Sequence, residues 1–188
     1  MSHLSQTATL QRMRTPRAVL VALTTAFALL VGGCGGGPAP RAWAANVCTA
    51  LSPWRTEIST LTSQTQQQMT AKTTPAQAKE NLVRLLGGAE SASETARSKV
   101  EEAGVPDVDG GADVATGFVR SLTAMRDAYG RAKQSIEGLD AGRADPFYDG
   151  VESVMNKLTT EYNQSALDTS SLDSEELRAA FDEVPECR

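Results

Sequence analysis

Few residues in this chain can do covalent chemistry: three cysteines, Cys34, Cys48 and Cys187, and one histidine, His3. A thiol can serve as nucleophile, metal ligand or half of a disulfide. Cys34 stands where the uncharged run from Ala18 to Val31 closes in Gly32-Gly33 and gives way to Gly35-Gly36-Gly37-Pro38. The two glycines before it leave an extended backbone free to enter a narrow protease site, with a nucleophilic thiol next in line. Cys48 and Cys187 stand near the two ends of the remaining sequence. In an oxidising compartment such a pair most simply forms a disulfide, the alternative being two buried free thiols. His3 precedes the apolar run, so the chain beyond that run has no imidazole for histidine-ligated zinc, Ser-His-Asp or Cys-His chemistry. Carboxylate-only catalysis stays formally open, and the expectation is a protein that is not an enzyme and carries no cofactor.

The segment that positions Cys34 has the layout of an export signal. Residues 1–17 hold Arg12, Arg14 and Arg17 and no acid, and the apolar run comes next. A helix spanning a bilayer needs about 20 apolar residues, so this shorter run ending in glycines does not read as a permanent span. Met13 separates Arg12 from Arg14, which fits a general secretory route rather than a twin-arginine one. Val31-Gly32-Gly33-Cys34 resembles a bacterial lipobox, in which an aliphatic and two small residues precede an obligatory cysteine. Val31 and Gly32 are permitted variants of the commoner leucine and alanine or serine, a departure expected to lower processing efficiency.

That resemblance implies cleavage between Gly33 and Cys34, loss of residues 1–33 as a lipoprotein signal peptide, and diacylglyceryl and N-acyl groups on Cys34. The membrane is then the first partner, and the location is the outer face of the bacterial cytoplasmic membrane. Buried acyl carbon contributes roughly 0.8 kcal/mol per methylene, and two or more chains give stable anchoring. A soluble secreted protein cut at another small-residue site is the competing reading. Residues 34–41 are expected to be the lipidated cysteine and a Gly/Pro tether, with a root-mean-square span of about 15 Å for 35–41.

Removing residues 1–33 leaves 155 residues, enough for one domain with a modest core. Arg12, Arg14 and Arg17 leave with the leader, so 18 basic residues become 15 against 23 acidic ones and the formal net charge falls from −5 to −8. Such a surface repels nucleic acid and gains nothing from anionic lipid head groups. A Cys48–Cys187 bridge would close a loop of about 140 residues, on the order of 5 kcal/mol in the chain-entropy model.

Residues 42–188 read as helices throughout, with no strand alternation. Val47, Leu51, Trp54, Ile58, Leu61 and Met69, with Thr65 in the gap, make one stripe; Ser52-Pro53 either starts the main helix or kinks it. Thr74-Pro75-Ala76-Gln77 is a capping box with a first-turn proline, opening a helix whose buried stripe runs from Ala78 to Val100 and is lined by alanine in its second half. A third helix is predicted from near Asp109 or Gly110, carrying Val114, Phe118, Leu122, Met125, Tyr129, Ile136 and Leu139 inward. A fourth follows Asp145-Pro146 with Phe147, Val151, Val154, Leu158 and Tyr162. A short fifth is capped by Asp173 and carries Leu177, Ala180, Phe181 and Val184. The fold class is therefore all-α: an antiparallel four-helix up-and-down bundle with a short C-terminal fifth helix. In that topology the first helix starts where the fourth ends, and the fifth can cross that end to bring Cys187 to Cys48.

The remaining candidates are weaker. Asp107, Asp109 and Asp113 surround Gly110-Gly111 like a calcium loop, but Gly111 and Phe118 occupy its fifth and twelfth positions, so helix capping is expected and no metal. Asp140, Asp145 and Asp149 likewise read as capping and solvated surface. Trp43 and Trp54, about three helical turns apart, read as core before ligand grip or lipid contact. The segment from Trp43 to Trp54, with Cys48 and Ser52-Pro53-Trp54, and the end Pro185-Glu186-Cys187 are similar to small uncharacterised actinobacterial lipoproteins, a resemblance that implies no activity. The expected function is a membrane-anchored interaction or envelope-accessory module with a protein partner in the envelope. The alternative is a lipid or small-ligand carrier with a cavity near Trp54, Phe118 and Phe147.

Overall fold

The computed structural model describes residues 36–165, 169 and 172–188. Residues 1–33, expected to be a signal peptide, and Cys34, the expected acyl acceptor after a cleavage at Gly33, lie outside the described residues. The rest is an all-α up-and-down bundle: α1 (Pro40–Gln68), α2 (Pro75–Glu102), α3 (Gly111–Glu137), α4 (Ala144–Ser165) and the short α5 (Glu175–Glu183), followed by a 3₁₀ turn at Pro185–Cys187.

Helix starts follow local chemistry. Thr74 caps α2 through the predicted box: its hydroxyl accepts from the Gln77 amide, and the Gln77 side chain accepts from the Thr74 amide. One start and two caps differ from the sequence expectation. α1 begins at Pro40 and runs unbroken through Pro53, so Pro40 and Arg41 belong to the helix rather than to a tether. A proline is tolerated at a first turn because its missing N–H would be unpaired there anyway. The cap of α3 is Gly110, in the left-handed region at φ 74°, so no aspartate side chain caps it. Ser174, not Asp173, caps α5, because the helix starts at Glu175 and places the Leu177 amide over the Ser174 hydroxyl.

Antiparallel neighbours are fixed by contacts at successive levels of each helix pair. The indole N–H of Trp43 donates to the carbonyl of Gly104 at 2.8 Å, and Arg84 donates to Gln68 at 3.1 Å, so α1 runs against α2. Lys79 donates to the Leu139 carbonyl at 2.7 Å, and Arg126 meets Glu94, so α2 runs against α3. Ser121 donates to the Ser165 carbonyl and Arg131 reaches Glu161, so α3 runs against α4.

The predicted stripes face inward and gather in two clusters. One joins Trp43, Val47 and Cys48 of α1 to Ala96 and Val100 of α2, Phe118 and Leu122 of α3, and Leu177 and Phe181 of α5. The other joins Leu82 and Leu86 of α2 to Ala128, Ala132 and Ile136 of α3 and Leu158 of α4. Thus α5 packs on the N-terminal part of α1, while α4 packs chiefly on α3. Small residues permit close approach: a Cβ on Gly88 would lie 2.7 Å from a Leu61 methyl.

Candidate functional site

A disulfide and an aromatic cluster lie together at the end where α1 begins. Cys48 and Cys187 form a disulfide with Cα atoms 5.0 Å apart, the pairing expected from the sequence. Cys48 is buried within α1, and the 3₁₀ turn after α5 brings Cys187 to it. Beside the bridge, Trp43, Phe118 and Phe181 form a ring cluster. Trp43 meets Phe118 and Phe181 edge-on at 5.4 and 5.9 Å, and the two phenyl rings stack at 5.7 Å. Each such pair adds about 0.5–1.5 kcal/mol beyond area burial. Trp43 is wholly buried, so its N–H needs a partner, and Gly104 supplies it because its left-handed φ of 75° ends α2 with the carbonyl free.

Residues 36–39 run against the turn between α2 and α3. The Asp107 amide donates to the Pro38 carbonyl at 3.0 Å. A Cβ on Gly37 would lie 1.8 Å from the Val105 carbonyl oxygen, so only glycine fits. The Gly/Pro composition that predicted a flexible tether therefore serves, from Gly37 onward, as a close-fitting strap. Proline at the first turn of α1 was the sequence signal for this early start; the backbone contact with residues 105–107 had none, since it depends on where α2 ends.

Trp54, Phe118 and Phe147 are not brought together. Trp54 flanks a groove of about 380 Å³ between α1 and α2, bordered by Pro53, Ala92 and Ala96, and donates its N–H to Ser93 at 3.0 Å. Ser93 is fully buried and donates in turn to the Ala89 carbonyl; a lone serine in an alanine stripe carries no sequence mark of that role. Phe118 is locked in the ring cluster. Phe147 is buried at the start of α4, whose Gly150 abuts Leu139 just past α3. From Phe118 to the end of α3 is about 29 Å at 1.5 Å per residue.

Charged groups lie on the flanks. Glu94 accepts from Arg97 at 2.8 Å and from Arg126 at 2.6 Å. These hydrogen bonds, that from Arg97 foremost, hold its carboxyl down to about 2, and the same pairing raises both guanidinium groups. Burial, with the neighbouring Tyr162, pushes the Tyr129 phenol up to about 12. Asp140 accepts from the Gly142 amide and Asp145 lies in the first turn of α4. Among the described residues, no group of three or more His, Cys, Asp or Glu is placed to hold a metal ion, and no helix is long and apolar enough to cross a membrane. Comparison of the chain with protein-family models, curated proteins and solved structures returns no match.

Proposed function

We propose that this chain is an extracytoplasmic lipoprotein, acylated at Cys34 and held on the outer face of the bacterial cytoplasmic membrane. Its helical bundle acts there as an interaction or envelope-accessory module toward a protein partner. The assignment is carried by the position of Cys34, directly after Val31-Gly32-Gly33 and an uncharged run preceded only by basic charge. The Cys48–Cys187 bridge supports it, because structural disulfides persist in oxidising compartments. The ring cluster and the alanine-lined α2 support a packed module over a carrier. Expression of Cys34→Ala in a bacterial host is the test. The parent chain is expected in the membrane fraction with the mass of acyl groups added, and the variant in the soluble fraction without it. A variant that stays in the pellet would defeat the assignment.

A further inference from the structure

We propose that residues 37–39 are a fixed strap that seats the turn between α2 and α3, Val105 foremost, on the surface of a lipid bilayer. The placement rests on Cys34 being the acylated residue. Cys34 precedes Gly36 by two residues, which span at most about 7 Å when extended. From Gly37 the chain has no slack: a Cβ on Gly37 has no room against the Val105 carbonyl, and the Pro38 carbonyl accepts from the Asp107 amide. The next residues enter α1, whose Trp43 is bonded to Gly104. Acyl chains on Cys34 thus bring the Gly104–Asp107 turn to the level of the head groups.

That turn presents a surface suited to the place. Val105 is 47% exposed, and it and Tyr148 are the exposed large hydrophobic residues of the described chain. An aliphatic side chain left open to water at the anchoring end loses that exposure when it enters the interface. Asp107 and Asp109 lie beyond it and Glu101 and Glu102 precede it, all exposed, so the surface that fits is a zwitterionic one rather than an anionic one. Tyr148, at the start of α4, lies at the other end of α3, about 40 Å away. It is an internal control.

The test uses the full chain, processed and acylated in a bacterial host and reconstituted into phosphatidylcholine vesicles brominated near the glycerol end of their acyl chains. Val105→Trp and Tyr148→Trp are compared in brominated and plain vesicles, with the emission of Trp43 and Trp54 in the parent subtracted. Val105→Trp is expected to lose emission in brominated vesicles and Tyr148→Trp to lose none. Inserting Gly-Ser residues between Cys34 and Gly36, which leaves the strap itself intact, is expected to abolish that loss. Gly37→Val, with helix content checked by circular dichroism, is expected to diminish it. An acylated, vesicle-bound Val105→Trp protein that emits equally in both vesicles, or a loss unchanged by the insertion, would overturn the strap while leaving the anchor standing. A chain that carries no acyl mass and does not float with vesicles would overturn the anchor and the strap together.

Discussion

Glu94 illustrates how single residues act here. It projects from α2 between Arg97, one turn on, and Arg126, across on α3. Its carboxyl is held at about 2 in the fold against an ordinary 4.5, so the fold favours the ionised form. A depressed acid contributes stability above its unfolded value and loses it as pH falls through the folded one. Glu94→Gln is therefore expected to lower the urea midpoint at pH 7, with the gap to the parent closing between pH 4.5 and 2. The side chain is 44% exposed, so solvent screening keeps the effect modest. A gap independent of pH would mean that Glu94 acts through packing instead. The Arg97 partner is a local helix neighbour; the Arg126 partner exists only once α2 and α3 have found their register.

Among the elements, α1 is the one whose limits the sequence left open. Pro53 removes an N–H and crowds the preceding turn, which by itself argues for a break. The helix nevertheless continues, because Trp43, Ala44, Val47 and Cys48 on the upstream face are buried against α2, α3 and α5. Packing of that face outweighs a local cost of about 3 kcal/mol. Pro53 is exposed, so Pro53→Ala has little packing to lose and is expected to stabilise the protein by about 1–3 kcal/mol, measured by urea unfolding. Destabilisation would show that the ring of Pro53 supports Trp54 in the groove they share. The start of α2, by contrast, was legible to the residue, because its capping box is made by side chains three positions apart.

For the whole molecule, the two core clusters divide the labour. The cluster beside the disulfide includes α1 and α5, and the other includes α4, with α2 and α3 common to both. The bridge joins positions 139 apart in sequence. Replacing both Cys48 and Cys187 by serine is expected to cost roughly 2–5 kcal/mol. Hydrogen exchange should then show amides of α5 and the first turns of α1 losing protection before those around Leu82, Leu86 and Ile136. Uniform loss of protection along the chain would contradict a bundle built in two clusters.

The sequence by itself determined the all-α class, the inward stripes and the cap of α2, because helical periodicity and capping depend on side chains within a few positions of one another. It also held the cysteine pair, since two thiols near the ends of an up-and-down topology have one another as the nearest partner. The tertiary structure alone decided that Ser93 receives the Trp54 indole and that Trp54, Phe118 and Phe147 sit apart. It also decided that Gly37 serves close approach rather than freedom. A glycine reads the same in sequence whether the chain bends there or another backbone touches it. Only the end of α2, folded back beside the start of α1, distinguishes the two.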